Sequence, residues 1–443
     1  MAAVTNLKKI IGSHLLADGM DIIVDLEESE GSWLVDRRNG DRYLDCFSMF
    51  ASMAVGFNHP DIVAQKEMLG QVAVQKPSSS DIYSQPMAEF LQTFYDIAMP
   101  SYLPHFFMIE GGALAVENGL KAAFDWKIRK NFEAGTKKEI GTKIIHFRQA
   151  FHGRSGYTLS LTNTADPRKT QYFPKFDWPR IVNPKIYFPL NAGHTRDVET
   201  LEQQAISAIN DEIAENGADI AALIIEPIQG EGGDNHFRDK FFIALRKICD
   251  EHDIIFIMDE VQSGIGLTGK FWAHEHFSVR PDILCFGKKT QVCGILASTR
   301  MDEIENNVFR ESSRINSTFG GNLIDMVRCS LILKIIKQYK LIENAEKMGA
   351  ILLKGLGDLS LEFPDLLRNA RGRGLMCAID LNNSDSRNCF LEQLLKEKIL
   401  LAGCGEKSIR FRPHLIITED EINIVLRSMR KVFQTGQTAR KGK

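Results

Sequence analysis

The stretch that decides the fold is Ala221–Lys289, which reads AALIIEPIQGEGGDNHFRDKFFIALRKICDEHDIIFIMDEVQSGIGLTGKFWAHEHFSVRPDILCFGKK. One apolar run, Ala221–Ile225, ends at a Glu-Pro pair, and a second, β-branched run covers Ile254–Met258. The apolar residues between the two runs recur at the spacing of one helix face, and they are Phe241, Phe242, Leu245, Ile248 and Cys249. This strand–helix–strand order predicts a βαβ unit whose two strands are parallel neighbours.

Charged groups follow two of the predicted strands in this stretch. Asp259 lies at the carboxyl end of the second strand, and a third apolar run, Asp282–Phe286, ends just before Lys288 and Lys289. Open parallel sheets bind ligands at the carboxyl edge of their strands, so a carboxylate and an amine are expected to meet there. These are the groups that pyridoxal phosphate requires, because the amine forms a Schiff base and the carboxylate keeps the pyridine nitrogen protonated.

The segment Asp259–Gln262, with Asp282 further on and Lys288 six residues after it, resembles the class III pyridoxal-phosphate aminotransferases. The resemblance extends over nearly the whole chain. Within the family, the blocks Gly287–Gly294 and Asn316–Asn322 are most similar to the members that transfer the terminal amino group of lysine. The offset from Asp282 favours Lys288 over its neighbour as the lysine that binds the cofactor.

The resemblance implies an α/β fold, fold type I. A large cofactor-binding domain with a mostly parallel, seven-stranded sheet would cover residues 66–328, and a smaller α+β domain would cover residues 329–433. Residues 1–65 would form an N-terminal segment that joins the small domain, whereas the polar, basic tail 434–443 is expected to be disordered. In this family the active site lies between the domains and at the interface of a homodimer.

Turn residues and apolar periodicity predict further elements along the chain. Ser32–Cys46 has the pattern of a hairpin with an Asn-Gly turn, and Ile399–Ala402 has the pattern of a single strand. Leu323–Leu356 is helical in character, with a break near Tyr339–Glu343, and Glu419–Phe433 is predicted to be the last helix.

The resemblance also assigns the cofactor contacts, position by position. Lys288 would be the Schiff-base amine and the proton shuttle, and Asp259 would pair with the pyridinium nitrogen. Phe151 would stack on the cofactor, since a flat apolar face suits a delocalised ring, and His152 would help to position it. Gln262 would hydrogen-bond the ring hydroxyl of pyridoxal 5′-phosphate.

The glycine pattern alone is typical of an ordinary tight turn into a helix, and it is the resemblance to the family that implies a site for the cofactor phosphate there. Gly112 and Ala113 follow a predicted strand, Phe106–Ile109, and the next residues have helical periodicity. Such a helix N-terminus offers unpaired N–H groups and a favourable dipole to a phosphate. The resemblance adds that the hydroxyl of Thr318 reaches the phosphate from the partner subunit, so a homodimer with shared active sites is the expected assembly.

The resemblance assigns the substrate carboxylates to Arg154 and Arg410. A guanidinium can bind a carboxylate through two parallel hydrogen bonds, which lysine does less well. Glu231 would be a movable partner of Arg410, and Gln262 and Asn316 would complete the substrate site. The implied substrates are L-lysine and 2-oxoglutarate. The implied products are L-glutamate and 2-aminoadipate 6-semialdehyde, which cyclises to piperideine-6-carboxylate.

One alternative enzyme function stays open at this stage, and one non-enzymatic function is disfavoured. The blocks Glu231–His236 and Phe151–Arg154 are shared with γ-aminobutyrate transaminases, so a 4-aminobutyrate or ornithine ω-aminotransferase is the alternative enzyme. A regulator that keeps the fold as a ligand-sensing domain would need a DNA-binding extension. The chain has no spare length or basic region for one.

Composition excludes several other classes of protein. The chain has 443 residues, more than one core would hold, and its net charge of −3 gives no reason to expect nucleic acid or an anionic membrane as a partner. The eight cysteines are scattered, which is typical of reduced thiols in a cytoplasmic compartment. No apolar run is long enough to span a bilayer.

Two short segments resemble sites for other ligands. Gly264–Lys270 nearly matches a nucleotide P-loop, but Phe271 stands where the magnesium-binding Ser or Thr should be. His274-Glu275-His276 is too compressed for a zinc site on a helix, where the histidines should be four residues apart. We therefore expect no metal and no nucleotide, and we interpret His274–His276 as a solvated or packing segment.

Overall fold

The computed structural model describes residues 7–75 and 81–441. Its helices are α1 (Leu7–Gly12), α2 (Ser48–Ala51), α3 (Pro60–Val63), α4 (Lys66–Ala73), α5 (Gln85–Ile97), α6 (Gly112–Glu133), α7 (Gly156–Leu161), α8 (Ala192–Asn216), α9 (Asp239–Glu251), α10 (Leu323–Gln338), α11 (Leu341–Glu362), α12 (Ser384–Lys396) and α13 (Glu419–Lys441). Its strands are β1 (Trp33–Val35), β2 (Arg42–Asp45), β3 (His105–Ile109), β4 (Lys143–Phe147), β5 (Arg180–Ile181), β6 (Ile220–Ile225), β7 (Ile255–Asp259), β8 (Ile283–Phe286), β9 (Cys293–Ala297), β10 (Arg368–Arg373), β11 (Met376–Asp380), β12 (Ile399–Leu400), β13 (Ala402–Cys404) and β14 (Ser408–Phe411).

The central sheet confirms the predicted mostly parallel, seven-stranded architecture. Its strand order is β3-β9-β8-β7-β6-β4-β5, and neighbours are parallel except where β9 pairs with β3 and with β8. The βαβ unit is confirmed as well, because β6 pairs in parallel with β7 and α9 connects them. β6, β7 and β8 are buried along their whole lengths, which explains why their sequences are continuous apolar runs.

Two of these strands bring the predicted charged groups to one edge of the sheet. β7 ends at Asp259, and β8 ends at Phe286, just before Lys288. Because Asp259 is the register partner of Cys285, the two strands end at nearly the same level. The carboxylate and the amine therefore meet at the carboxyl edge, as the topology rule for open parallel sheets requires.

α6 packs closely on the sheet and places its N-terminus at the same edge. A Cβ built on Gly119 would lie 3.3 Å from the Sγ of Cys285 in β8, so a larger residue would push the helix away from the strands. At the beginning of the helix, a Cβ on Gly112 would lie 2.9 Å from Val261, which follows β7. The small residues of α6 thus hold its first turn beside the ends of the strands.

The N-terminal hairpin pairs with the C-terminal part of the chain. β1 and β2 are antiparallel through Trp33 and Leu44, which confirms the predicted hairpin. β2 also pairs in parallel with β12, through Leu44 and Ile399, and a small apolar core that includes Leu34 and Leu400 lies against this three-stranded sheet. The domain boundaries given above stay predictions.

The prediction of one strand over Ile399–Ala402 is wrong. The segment divides into β12, which joins the three-stranded sheet β1-β2-β12, and β13, which joins a four-stranded antiparallel sheet of order β10-β11-β14-β13. Leu401 lies between the two strands and is buried like its neighbours. An apolar run predicts that its residues are buried, but it does not contain the information on which sheet they lie.

The C-terminal helices agree with the prediction at their break and differ at their end. α10 ends at Gln338 and α11 begins at Leu341, after Lys340 with a left-handed φ of 52°, so the predicted break is confirmed. α13 continues past Phe433, the predicted end of the last helix, to Lys441, and the expectation of a disordered tail stays a prediction. Within the described ranges, none of the helices has both the length and the apolar composition that a membrane span requires.

Candidate active site

Two adjoining cavities open at the carboxyl edge of the central sheet. One has a volume of about 550 Å³ and the other of about 760 Å³. The residues that line both are Phe151, Arg154, Glu231, Gln262 and Lys288. The other predicted site residues that line one of them are Gly112, Ala113, His152, Asp259 and Arg410.

Lys288 presents its side chain to both cavities. It follows β8 in a left-handed backbone conformation, with a φ of 55°. Burial, with a smaller contribution from the positive charge of Arg410, lowers the pKa of its amine to about 8, although Asp259 acts in the opposite direction. Only the neutral amine is a nucleophile, so this environment prepares Lys288 for covalent chemistry near neutral pH.

Lys289 has a different environment from its neighbour. Its side chain is fully buried, its Nζ donates a hydrogen bond to the backbone oxygen of Gln262 at 2.8 Å, and it lines neither cavity. Burial and the charge of Lys288 hold the pKa of this amine well below its ordinary value. The geometry therefore supports Lys288 as the reactive amine and gives Lys289 a structural contact.

Asp259 is held in place by two donors. One ring nitrogen of His152, Nδ1, lies 2.8 Å from Oδ2 of Asp259, and the backbone N–H of Val261 donates to Oδ1 at 3.0 Å. Both side chains are buried, and both residues line the smaller cavity. His152 thus acts on the cavity through Asp259, whose carboxylate it orients.

Glu226 is a cavity residue that our sequence analysis did not identify. It follows β6 directly and is buried, and its carboxylate accepts hydrogen bonds from the backbone N–H groups of Phe151, at 2.9 Å, and Gly230, at 3.0 Å. Burial raises its pKa to about 7, against the opposing effects of His152 and the two N–H donors. Its position at the end of a buried strand next to β7 is the signal that could have identified it.

The first turn of α6 has the features of an anion site. Gly111 precedes the helix with a φ of 102°, which strongly favours glycine, and it provides no side-chain cap. A Cβ on Gly111 would meet no atom within 4 Å, so open space lies beside the turn. Gly111, Gly112 and Ala113 all line the smaller cavity. The exposed N–H groups and the dipole of this helix suit a phosphate.

These features fit pyridoxal phosphate. The amine of Lys288 is placed for a Schiff base, the carboxylate of Asp259 for a ring nitrogen, and the aromatic side chain of Phe151 for the face of a ring, while the beginning of α6 suits a phosphate. The four groups belong to one cavity of a size that accommodates a cofactor of this class.

Gln262 is oriented by an arginine that sequence reasoning did not identify. Arg412 donates to Oε1 of Gln262 from Nε at 3.2 Å and from Nη2 at 2.9 Å. Because both donors use the amide oxygen, the amide nitrogen of Gln262 stays available to an acceptor in the cavity. Arg412 is itself fixed by Asp234, to which its Nη1 donates at 2.8 Å.

Two further arginines border the larger cavity in contrasting states. Arg410 is buried and forms an ion pair with Glu231, whose Oε2 lies 3.0 Å from Nη1. Arg154 is exposed to the cavities and forms no hydrogen bond or ion pair with any residue that the structure describes. One guanidinium is therefore ready for a carboxylate ligand, and the other becomes ready only when Glu231 moves.

Phe50 reaches the site from a left-handed turn. The residues of α2, Ser48–Ala51, have φ values between 43° and 66°, which residues with a Cβ rarely adopt in succession. Oδ1 of Asp45 accepts two backbone N–H groups at the start of this turn, both at 2.8 Å. The ring centre of Phe50 lies 5.2 Å from the guanidinium carbon of Arg410 and 5.9 Å from Nζ of Lys288.

Asn316 and Thr318 do not reach either cavity within one chain. Both are exposed, and neither lines the space around Lys288. For Thr318 this position agrees with the expectation that it acts in the partner subunit. For Asn316, no contact with another described residue supports a role in its own subunit.

The two segments that resemble other sites have structural roles. Gly264–Lys270 leads into the short turn Ala273–His276 rather than into a helix, so it lacks the helix N-terminus of a P-loop. Nδ1 of His274 lies 2.7 Å from Glu260, and Nε2 lies 2.6 Å from the hydroxyl of Tyr102. The interpretation of His274–His276 as a packing segment is therefore supported.

The sequence matches a family model described as aminotransferase class-III over residues 16–433. A curated relative from Mycobacterium tuberculosis, L-lysine-epsilon aminotransferase, is 48% identical over 428 residues, which cover 96% of this chain and 94% of the relative. The mitochondrial 4-aminobutyrate aminotransferase of Mus musculus is 32% identical, and the match covers 95% of this chain and 86% of that relative.

The fold is also similar to that of a solved structure. A lysine aminotransferase from M. tuberculosis in the internal aldimine form superimposes with a TM-score of 0.95 and is 46% identical, and the match covers 98% of this chain and 99% of the other. Both the sequence and the fold are thus similar to those of enzymes that transfer amino groups.

Proposed function

We propose, from the premise that this chain belongs to the class-III aminotransferase family, that it moves the terminal amino group of L-lysine to 2-oxoglutarate. The enzyme depends on pyridoxal 5′-phosphate, as this family does. The products would be L-glutamate and 2-aminoadipate 6-semialdehyde, which cyclises to piperideine-6-carboxylate. The main support is that Lys288, the exposed Arg154 and the Arg410–Glu231 pair line one cavity, in a chain with 48% identity to a lysine aminotransferase.

The cofactor, when bound, supplies an electron sink that stabilises negative charge on the carbon that bears the amino group. Lys288 would hold the cofactor and then move the proton at that carbon. Its amine suits this task because its pKa of about 8 lies closer to neutral pH than the ordinary value of a lysine. Asp259, fixed by His152, would hold the proton of the ring nitrogen, and Gln262 would donate its amide N–H to the ring hydroxyl.

Arg154 would set the distance between the substrate carboxylate and the reacting amine. A lysine whose carboxylate is on Arg154 presents its terminal amine to Lys288 and keeps its α-amine remote. 2-Oxoglutarate in the same orientation places its distal carboxylate on Arg154 and its α-carboxylate on Arg410. Orientation of this kind directs the reaction to one of two chemically similar amines.

The Arg410–Glu231 pair would let one site accept both substrates. The carbon that reacts in lysine carries no carboxylate, so Glu231 can stay on Arg410 during that half-reaction. The α-carboxylate of 2-oxoglutarate requires Arg410, so Glu231 must leave in the second half-reaction. A charge-assisted pair contributes on the order of 1.5–3 kcal/mol, which a substrate carboxylate can replace.

The site would be completed in a cytoplasmic homodimer. The exposed position of Thr318 and Asn316 away from their own cavity supports a role at the interface, where Thr318 would reach the phosphate bound by the partner subunit. The scattered cysteines, all free and all but Cys389 buried, agree with a reducing compartment.

The test compares two donors with the same enzyme. The purified protein is incubated with 2-oxoglutarate and either L-lysine or 4-aminobutyrate, and glutamate and the cyclic imine are measured. We expect glutamate to form faster from lysine, together with the imine. Faster formation from 4-aminobutyrate, or loss of the α-amine of lysine, would contradict the substrate assignment and leave the fold and the cofactor unaffected.

A further inference from the structure

Glu231 lies between two cations that come from different parts of the chain. Its Oε2 faces Nη1 of Arg410 on β14, 3.0 Å away, and its Oε1 accepts a hydrogen bond from Nζ of Lys169, which ends the short turn Pro167–Lys169. Only 4% of the Arg410 side chain is exposed, whereas 30% of the Lys169 side chain is exposed. The carboxylate therefore joins a buried cation to a cation at the rim of the cavity.

The exchange on Arg410 requires a second partner for Glu231. When a substrate carboxylate binds Arg410, the glutamate loses an ion pair while most of its side chain is still buried, and an unpaired buried charge is strongly destabilising. Burial raises the pKa of Glu231, but Arg410 and Lys169 together hold it below its ordinary value. The group is thus a carboxylate at neutral pH, and it needs a cation wherever it moves.

The cavities around Glu231 provide a place for it to move. Lys169 and Glu231 both line the cavity that contains Arg410 and Lys288. They also both line a separate cavity of about 270 Å³, which Arg387 lines as well. The glutamate can turn from the first space towards the second without leaving Lys169.

We propose that Lys169 is a positioning residue for this exchange, which retains Glu231 at the rim while the α-carboxylate of a 2-oxoacid binds Arg410. This inference rests on the proposed function, since it requires one site to accept both an ω-amino acid and a 2-oxo dicarboxylate. It predicts that Lys169 assists the oxoacid half-reaction and has little effect on the lysine half-reaction, in which Glu231 stays on Arg410.

Arg168 provides a matched control on the same turn. Its side chain is 81% exposed and pairs with Asp166, whose Oδ1 lies 2.9 Å from Nε. It lines none of the cavities described above. Arg168→Met therefore removes a positive charge that does not contact Glu231. Lys169→Met removes, from the same turn, the positive charge that pairs with Glu231.

The experiment uses the holoenzyme and glutarate, an unreactive five-carbon dicarboxylate that would span the two arginines in the orientation proposed for 2-oxoglutarate. Calorimetric titration should show that Lys169→Met weakens glutarate binding about tenfold, whereas Arg168→Met and Lys169→Arg bind it within twofold of the wild type. The single-turnover rate with lysine should stay within twofold in all three variants. Far-UV circular dichroism and the charge-conserving Lys169→Arg variant verify that the fold is retained.

The Glu231→Ala background decides whether Lys169 acts through the glutamate. There, Lys169→Met should change glutarate binding less than twofold, because a positioning residue has nothing left to position. A tenfold loss in that background would show direct contact with the ligand and overturn the proposal, as would equal effects of Lys169→Met and Arg168→Met. Failure of the wild type to react with lysine would refute the proposed function instead, and the glutarate titrations would still measure the action of Lys169 on Glu231.

Discussion

Arg410 lies on β14, and Arg412 is the first residue after that strand. Both bind a carboxylate, but they differ in how many hydrogen bonds fix them. Arg412 directs hydrogen bonds from Nε and both Nη atoms to Asp234, Gln262 and its own backbone neighbour, Phe411. Arg410 has one ion pair, to Glu231, and its buried Nε has no hydrogen-bond partner among the described residues. Asp234 is fully buried, but Glu231 faces a cavity.

The difference shows how one segment can hold both a fixed and an exchangeable cation. Arg412 has no donor left for a ligand, so it can only orient Gln262. Arg410 keeps a free donor and a partner that borders open space, so a substrate carboxylate can gain what Glu231 loses. Burial and the number of hydrogen bonds, rather than the residue types, decide which pair a substrate can open.

The largest expected effect is on stability, and it comes from breaking the pair between Arg412 and Asp234. Asp234→Ala leaves the guanidinium of Arg412 buried without its counter-charge, which should lower the free energy of unfolding by about 3–5 kcal/mol. Urea denaturation at one fixed protein concentration measures this change. Glu231→Ala is the comparison and should cost clearly less than Asp234→Ala, because Arg410 lines a cavity in which water can solvate a guanidinium that has lost its carboxylate. Equal losses would contradict the distinction between the two pairs.

The effect of burial and of the two arginines on the pKa of Lys288 can be measured as a dependence of stability on pH. Burial first, and then the charges of Arg410 and Arg412, lower its pKa from 10.5 to about 8. Between these values the unfolded state binds more protons than the folded state, so this group makes stability rise with pH and destabilises the fold most below pH 8. The stability of the cofactor-free wild type relative to Lys288→Met should increase across this window by up to about 3 kcal/mol, from a shift of between two and three pKa units.

The measurement is urea denaturation of both proteins at several pH values between 8 and 10. Lys289→Met is a control for a buried amine that lines neither cavity. A constant difference between the wild type and Lys288→Met over this range would show that the amine keeps an ordinary pKa in the folded protein.

Removal of the carboxylate that pairs with Arg410 should change the preference of the enzyme among amino donors. Glu231→Ala frees Arg410, so donors that carry a carboxylate next to the reacting amine should gain relative to lysine. The ratio of the single-turnover rates with glutamate and with lysine should rise about tenfold, which corresponds to about 1.4 kcal/mol. Glu231→Gln, which keeps the size and loses the charge, should act in the same direction. An unchanged ratio in both variants would count against an exchange on Arg410.

The smallest expected effect concerns the aromatic ring of Phe50, which lies next to Arg410. Phe50→Leu removes an aromatic face that lies 5.2 Å from the guanidinium of Arg410, a contact that contributes about 0.5–1 kcal/mol at a partly exposed site. Glutarate should bind between two- and fivefold more weakly by calorimetry. Phe50→Tyr keeps the aromatic face and should bind it as the wild type does, so a loss in Tyr equal to that in Leu would exclude the ring as the cause.

The sequence predicts the residues at the sheet edge because their signals are local. Asp259 and Lys288 each follow a continuous apolar run, and parallel topology then brings them together. The resemblance to the family supplies Arg154, Arg410 and Glu231, which no periodicity would have selected, and the observed Arg410–Glu231 pair agrees with the expected partnership.

The residues that hold these groups in place are not predictable from local patterns. Lys169 and Glu231 are 62 residues apart, and Arg412 and Asp234 are 178 residues apart. Such contacts depend on how the sheets pack, and no spacing in the sequence encodes them. The left-handed turn that presents Phe50 is equally hidden, because it depends on the two hydrogen bonds that the carboxylate of Asp45 accepts.

The pairing of β2 with β12 has a consequence for how the protein is made. Lys398, which ion-pairs with Asp41 beside these strands, lies 357 residues further along the chain. A ribosome that adds about 5–20 residues per second needs roughly 20–70 s to synthesise that interval. During this time the hairpin has no third strand, and the apolar faces of Leu34 and Tyr43 lack Leu400 as a neighbour. The nascent N-terminal segment therefore keeps these apolar faces without their neighbour until β12 has been synthesised.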